Sequence, residues 1–218
     1  MPSWVDCCLE VTGPKDEIEL FAGMACGEGD RNYLEFNDLY SVPADLNLEK
    51  NSATNLIYKA KYGDEDTVNN LLILDWIKSK ASNRQELIKF AVDRDPECEE
   101  AAEKYKANFD KYGFTTWKDW CIENWGTKWS AQQTRLTSSI VPGIKSMMTL
   151  YYHFNTIWSP PVPLVKVVGR NYDKLEFLLE YKNTIENYRG RLLVRYGQIV
   201  QDDRKELEAV SEVSRVEI

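Results

Sequence analysis

Apolar and polar residues alternate over the first part of the chain. Between positions 4 and 12 every second residue is apolar: Val5, Cys7, Leu9 and Val11. Successive side chains of a β-strand point to opposite faces, so this spacing predicts a strand with one buried face. The sequence TGPKDE then predicts a turn into a helix, because proline and acidic residues suit a first helical turn. Apolar residues at i, i+3, i+4 and i+7 from Ile18 onward predict that this helix is amphipathic.

The pattern changes in the middle of the chain. The sequence YLEFNDLY at 33–40 predicts a second strand, and from about Ala44 to Trp129 the apolar spacing becomes helical. This middle segment contains many charged residues, yet it has too many aromatic residues for a solvated linker. We therefore expect a mostly helical insertion at about 44–129.

Strand-like alternation returns in the last third of the chain. Strands are predicted at 146–157, at 174–182 and, as a pair joined at Gly197, at 189–200. The proline-rich sequence SPPVP at 159–163 ends the first of these strands, and a short helix is predicted directly after it, at 165–169. The charged end of the chain, residues 202–218, is predicted to be a surface helix or a frayed tail.

The order of these elements predicts the fold class. Strand–helix–strand, a helical insertion and strand–helix–strand–strand indicate an α+β protein with helices on one face of a mostly antiparallel sheet. A ferredoxin-like split β-α-β unit is the simplest arrangement with that order. Residues 1–201 are expected to form a single ferredoxin-like domain that carries the insertion, with 202–218 outside it.

Composition and charge narrow the classes of function. The 218 residues have a hydrophobic content of 43% and a charged content of 28%, which are ordinary for a soluble globular protein. The formal net charge is −8 and the pI is near 4.9. Proteins that bind nucleic acids without specificity rely on clustered Lys and Arg, so this balance argues against that class. It favours a basic partner, whose association would be steered by opposite charge.

The five cysteines are scattered along the chain, at Cys7, Cys8, Cys26, Cys98 and Cys121. Their number is odd and no CxxC spacing occurs, so we expect no disulfide framework and no zinc site. No motif in the sequence predicts a cofactor, and we expect none. The N-terminus lacks the pattern of a signal peptide, and the longest apolar run, LLILDWI at 71–77, is too short to span a bilayer. We therefore expect a cytoplasmic protein with reduced thiols and no membrane anchor.

Four of the seven tryptophans lie within YGFTTWKDWCIENWGTKWS, residues 112–130. A helix over 116–125, with Thr116 as its N-cap, would place Trp117, Trp120 and Trp125 on one side. The first interpretation is that these indoles pack the helix on the sheet, because each buries a large apolar area. The alternative is a groove that accepts a peptide or a base, lined by Trp125, Lys128, Trp129 and Trp158.

Residue spacing assigns no catalytic and no metal-binding residues. His153 is the sole histidine, and it is expected to be exposed or hydrogen-bonded rather than to act as a general base. The adjacent Cys7 and Cys8 point to opposite faces of a strand and have no basic neighbour in sequence, so a redox role is not indicated. An RNA-recognition-like use of sheet aromatics is a further alternative, with four candidate tyrosines: Tyr151, Tyr152, Tyr181 and Tyr196.

Several motifs resemble those of one family. They are MPSWVDCCLEVTG at the start, FNDLYSVPADL at 36–46, YGFTTWKDWCIENWGTKW at 112–129, FNTIWSPP at 154–161 and YRGRLLVRYGQIV at 188–200. In this order they resemble the YubB ferredoxin-like family of plasmid and bacteriophage proteins, a domain of unknown function. The chain departs from the family pattern at Cys121, where arginine is frequent, and at Ile157, where the family has alanine. The resemblance implies a ferredoxin-like fold and an origin on a mobile genetic element, but no activity and no catalytic residues.

The leading hypothesis is therefore a non-enzymatic interaction protein of a phage or plasmid, located in the cytoplasm of the bacterial host. It would bind a host protein, with a basic nucleic-acid-handling protein as one candidate. By binding that protein it would inhibit a host defence system, and it would thus be an inhibitor of the anti-CRISPR or anti-restriction type. The alternative hypothesis is a single-stranded nucleic-acid-binding module that uses sheet aromatics and Lys128.

Overall fold

A computed structural model describes residues 3–27, 33–141 and 146–207 of the chain. These residues include six β-strands: β1 (Trp4–Pro14), β2 (Gln132–Ile140), β3 (Met147–Ile157), β4 (Glu176–Asn183), β5 (Tyr188–Arg195) and β6 (Gln198–Glu206). The strands form one sheet in the order β2-β3-β1-β4-β5-β6, and every neighbouring pair is antiparallel.

Helices occupy much of the rest of the described chain. They are α1 (Lys15–Ala25), α2 (Phe36–Leu39), α3 (Ser52–Tyr62), α4 (Glu65–Leu72), α5 (Arg84–Arg94), α6 (Glu99–Tyr112), α7 (Trp117–Trp125) and α8 (Val162–Asn171). Short 3₁₀ turns lie at Ala44–Leu46 and Pro96–Cys98. No helix of the described residues is both long and apolar enough to cross a membrane.

The predicted fold class is confirmed. The strand order β2-β3-β1-β4, with α1 after β1 and α8 between β3 and β4, is that of a ferredoxin-like β-α-β-β-α-β unit. The β5–β6 hairpin extends the sheet beyond β4, as the sequence predicted for the segment around Gly197. Its turn residues Tyr196 and Gly197 have φ of 50° and 73°, and two positive values are typical of the tight turns that suit a hairpin twist.

One face of the sheet is covered by α1 and α8. The ring of Phe21 in α1 meets Phe177 of β4 edge-on, with ring centroids 5.4 Å apart, and Tyr152 of β3 at 6.2 Å. In α8, Gly169 lies so close to β5 that an added Cβ would be 2.6 Å from Cγ1 of Val194. The alternate strand residues therefore point away from these helices, and we call that surface the open face.

One strand assigned from sequence is wrong, and one strand of the sheet was not predicted. Residues 33–40 contain the one-turn helix α2, because the Glu35 side chain accepts a hydrogen bond from the Asn37 backbone N–H and starts a helical turn. The second strand of the ferredoxin-like unit is instead β2, after the helical segment. In β2 most side chains are exposed on both faces, so its sequence lacks the apolar alternation on which strand prediction depends.

The charged end of the chain also differs from its prediction. Residues 202–206 belong to β6 and are neither helix nor tail. This strand lies at the edge of the sheet and carries five consecutive charged residues, which is a common way to protect an edge from unwanted pairing. The remainder of the predicted tail, 208–218, lies outside the described residues.

The chain divides into two compact units. Residues 42–120 form the first of them, whose boundaries differ slightly from the predicted insertion at 44–129, and it has an apolar core of its own. That core consists of Leu56, Ile57, Ala60, Val68, Ile77, Ala81, Leu87, Ala91 and Ala102. Ion pairs cover its surface, such as Lys61 with Glu99 at 2.5 Å and with Glu103 at 2.8 Å. The sheet belongs to the second unit, which comprises the described residues of 1–41 and 121–218.

The buried hydroxyl of Tyr152 gives a first prediction. Tyr152 is fully buried, its hydroxyl has no hydrogen-bond partner among the described residues, and burial raises the pKa of the phenol. Because a buried unsatisfied group carries a desolvation cost, Tyr152→Phe is expected to raise the free energy of unfolding by about 1 kcal/mol. The measurement is chemical denaturation at neutral pH.

The control for this substitution is Tyr105→Phe. Tyr105 is equally buried, but its hydroxyl donates to the Glu49 carbonyl at 2.7 Å and accepts from the Asn51 N–H at 3.2 Å. This variant is expected to lose about 1 kcal/mol. A loss of stability in both variants would contradict the assignment of Tyr152 as unsatisfied.

Candidate partner-binding site

The tryptophan-rich segment is divided between core and surface. Trp120 and Trp125 are buried, with 6% and 5% of their surface exposed. The Trp125 indole N–H donates to the Tyr40 carbonyl at 2.8 Å, and its ring meets Phe36 edge-on at 5.9 Å. Trp125 is thus a core residue and does not line a binding groove, contrary to its assignment from sequence. The helix predicted at 116–125 is present as α7, but the Thr116 hydroxyl makes no hydrogen bond and does not cap it.

The other three predicted site residues lie together. The ring centroids of Trp129 and Trp158 are 6.0 Å apart with an angle of 34° between the ring planes. The Lys128 ammonium lies over the Trp129 ring, 3.9 Å from its centroid, in a cation–π contact. Trp129 is 39% exposed and Trp158 is 44% exposed, so each ring keeps a solvent-facing part. We call Lys128, Trp129 and Trp158 the indole site.

Two sequence motifs, WGTKW and WSPP, pack together to form this site. Gly126 has φ of 85°, and a Cβ at this position would be 2.6 Å from both the Pro160 carbonyl oxygen and the Pro163 Cδ. The next residue, Thr127, donates its hydroxyl to the Ile157 carbonyl at 3.0 Å, at the end of β3. Glycine is therefore required for the close approach, and the threonine fixes the loop against the strand.

The backbone at Trp158 is in an unfavourable conformation. Its φ is 70°, in the left-handed region, which costs about 1–3 kcal/mol for a residue with a large side chain. The Trp158 N–H donates to the Ser3 carbonyl at 2.7 Å, and its carbonyl accepts a long 3.4 Å hydrogen bond from the Tyr188 hydroxyl. These contacts hold a half-exposed indole in place at a cost in backbone energy, which is a feature of functional surfaces.

The open face brings together a cysteine and the sole histidine. Cys8 of β1 is opposite His153 of β3 on one side and Glu180 of β4 on the other. Sequence analysis missed this pair because the two residues are far apart in the chain and only strand register shows that they are neighbours. Burial, Glu10 and Glu180 together raise the pKa of the Cys8 thiol, so it stays protonated at neutral pH. A protonated thiol is a poor nucleophile, which argues against a Cys–His catalytic pair.

The alternative based on sheet tyrosines is not supported by their positions. Tyr152 and Tyr181 face the helices and are buried, with 0% and 6% of their surface exposed. Tyr151 lies half-buried on the open face, and Tyr196 is exposed in the β5–β6 turn. The four rings therefore do not form a common surface for stacking bases. Within the described residues there is also no group of three His, Cys, Asp or Glu side chains able to hold a metal ion.

The match to a family model agrees with the fold. Residues 124–217 match the family model described as the ferredoxin-like domain in Api92-like protein, a domain of unknown function. A solved structure of the protein api92 from Yersinia pseudotuberculosis is similar over 96% of this chain and 99% of that chain, at 14% identity and a TM-score of 0.46. The comparison with curated proteins finds no match.

Proposed function

We propose that the chain is a non-enzymatic binding module, and that the indole site anchors a protein partner. The observation that carries this proposal is the half-exposed Trp129–Trp158 pair, one member of which is held in a left-handed backbone conformation. A core role does not account for Trp158, because a smaller residue with less exposed apolar surface would satisfy the same backbone contacts. Exposed indoles in fixed positions are characteristic anchors of protein interfaces.

The charge of the chain supports a basic partner. Residues 1–41 contain two basic and nine acidic residues, and the whole chain has a net charge of −8. Opposite charge would steer the encounter, and the indole site would then provide the desolvated contact. Together with the resemblance to plasmid and phage YubB proteins, this favours a host nucleic-acid-handling protein as the partner and inhibition of a host defence system as the outcome.

Two substitutions test the indole site. Trp129→Ala and Trp158→Gly each remove one indole, and the glycine also relieves the left-handed backbone at position 158. We expect Trp158→Gly to keep or raise the melting temperature, while both variants lose binding to a partner captured from host lysate at low salt. Loss of an interface hot spot corresponds to about 30-fold weaker binding, measured by calorimetry with the purified partner.

The control is Trp76→Ala. Trp76 is 49% exposed and lies in the unit formed by residues 42–120, so its removal deletes an exposed indole elsewhere. We expect this variant to bind the partner with unchanged affinity. The proposal would be wrong if the two indole-site variants, correctly folded, still bound the partner as tightly as the unmodified protein.

A further inference from the structure

The unit formed by residues 42–120 contains an open cavity of about 570 Å³. One wall is helix α3, a second is the segment after α4, and a third runs from the end of α5 into the 3₁₀ turn Pro96–Cys98. The volume is within the range of sites that hold small molecules, about 300–1,000 Å³. We call it the α3 cavity, and its apolar lining includes Leu56, Leu71 and Trp76.

The Trp76 ring is held in place although 49% of the residue is exposed. The ring of Phe90 in α5 lies against it, with ring centroids 6.2 Å apart. The Arg94 guanidinium lies over the Trp76 ring, 5.3 Å from its centroid, in a cation–π contact. The cavity therefore has a fixed aromatic wall, and the exposed part of this indole offers apolar surface to a ligand.

Three polar side chains of the cavity have no partner among the described residues. The Asn55 amide, the Lys59 ammonium and the Glu97 carboxylate make no hydrogen bond and no ion pair there. The neighbouring Lys61 of α3, by contrast, pairs with two glutamates. Asn55 and Lys59 are four residues apart in α3, so they lie on the same side of that helix, whereas Glu97 belongs to the 3₁₀ turn. The cavity thus offers one positive and one negative group on different walls.

The charges in the lining are balanced, and this selects the kind of ligand. Lys59 and Arg94 are the cations of the cavity, and Asp95 and Glu97 are its carboxylates. The Arg94 guanidinium is 3.5 Å from the Asp95 carboxylate, so these two charges offset each other and Lys59 and Glu97 are left for a ligand. Glu97 would repel a simple anion and Lys59 would repel a simple cation. A zwitterion with an apolar side chain makes use of both groups and of the Trp76 ring.

We infer that the α3 cavity binds a zwitterionic amino acid or short peptide with an apolar side chain. Lys59 and the Asn55 amide bind its carboxylate, and Glu97 accepts hydrogen bonds from its ammonium group. The apolar side chain packs on Trp76. This activity is separate from partner binding at the indole site, because it uses none of the residues of that site.

The test is calorimetry of the full chain with the dipeptide phenylalanyl-leucine and with two blocked forms of it. The N-acetyl form lacks the positive charge, and the C-terminal amide lacks the negative charge. Because hydrogen bonds to charged groups are the stronger ones, the free dipeptide should bind at least about tenfold more tightly than either blocked form. Free phenylalanine carries the same two charges, and its affinity relative to that of the dipeptide shows whether the ligand is an amino acid or a peptide.

The decisive variants are Lys59→Met and Glu97→Gln, each of which removes one charge from an exposed side chain. Lys59→Met should bind the dipeptide no better than its amide, and Glu97→Gln should bind it no better than its N-acetyl form. Trp76→Ala should weaken the binding of all three forms by a similar factor, because each form carries the same apolar side chains. A purely structural role of Lys59 or Glu97 would weaken all three forms equally and would leave the preference for the free dipeptide intact.

The matched control is Lys89→Met. Lys89 is an exposed lysine of a helix in the same unit, but it does not line the cavity. This variant should bind the dipeptide and both blocked forms as the unmodified protein does. Equal affinities of the unmodified protein for the free and the blocked forms would overturn the proposal, as would the absence of binding heat with the dipeptide and with phenylalanine at millimolar concentration.

Discussion

Replacement of Gly126 by alanine is expected to lower the free energy of unfolding by about 3 kcal/mol. Part of this loss comes from the backbone, because φ of 85° places an alanine Cβ in a left-handed conformation that costs about 1–2 kcal/mol. The rest comes from packing. The new Cβ would be 2.6 Å from the Pro160 carbonyl oxygen and from the Pro163 ring, so backbone has to shift on one side or the other.

Gly197→Ala is the control for this prediction. Gly197 also has a positive φ, 73°, and it lies in the same unit as Gly126, but the nearest atom to an added Cβ is 3.7 Å away. This variant therefore suffers the backbone cost alone, and a loss of about 1 kcal/mol is expected. Chemical denaturation measures both variants. Equal losses at the two positions would mean that the contact of Gly126 with the proline segment contributes nothing.

The contact at Gly126 explains why the indole site exists at all. Trp129 and Trp158 approach each other because the loop after α7 packs directly on the segment after β3, and Thr127 is bonded to the end of that strand. A displaced loop would separate the two rings even in a folded molecule. Gly126→Ala should consequently weaken partner binding even under conditions where the variant is fully folded. The affinity measured under those conditions reports the displaced loop and not the lower stability.

Strong amphipathic patterns carried most of the fold prediction. The strand at 4–12 and the helix after it were correctly predicted because one face of each is buried against the other layer, which leaves a clear period in the sequence. The edge strand β2 has no such period. Its apolar residues are few and Ile140 is 66% exposed, so nothing in its sequence indicates that it completes the sheet.

Local hydrogen bonds explain why the segment 33–40, predicted as a strand, contains helix α2 instead. Leu34 and Phe36 are both buried and two residues apart, which is the spacing of a strand. The Glu35 side chain between them instead bonds the Asn37 N–H, and the Phe36 N–H donates to the Ser130 hydroxyl at 2.9 Å. These two hydrogen bonds satisfy backbone N–H groups that a strand would have paired with a neighbouring strand. The bond to Ser130 joins residues far apart in the chain, so the sequence alone does not reveal it.

The candidate sites depend on register rather than on motifs. The tryptophan motifs indicated three members of the indole site, but Trp125 was placed there wrongly because indoles of core and surface have the same sequence signature. The pairing of Cys8 with His153 could not be predicted, because the two residues are neighbours only through the pairing of β1 with β3. A shift of one residue in that pairing would place these side chains on opposite faces.

Alkaline pH is expected to destabilise the sheet-containing unit through two buried thiols. Burial raises the pKa of Cys7 and of Cys121 from an ordinary value near 9.0 to about 12. Because the pKa of each thiol is higher in the folded state than in the unfolded state, the stabilising contribution is complete below pH 9. It is lost as the pH rises from 9 towards 12, where the unfolded chain releases protons that the folded chain retains. Each thiol then costs about 1.4 kcal/mol per pH unit.

The test of this pH dependence is chemical denaturation at pH 8 and at pH 11. It compares the unmodified protein with the double variant Cys7→Ala/Cys121→Ala. At pH 8 the double variant should be less stable, because it leaves two small cavities in the core. Between pH 8 and pH 11 it should lose several kcal/mol less than the unmodified protein, since it lacks the two protons whose release favours unfolding. Tyrosines with raised pKa, such as Tyr152, are present in both proteins and their contribution cancels in the comparison. Parallel pH profiles for the two proteins would show that the thiols are accessible to solvent in the folded state, and would contradict the burial of Cys7 and Cys121.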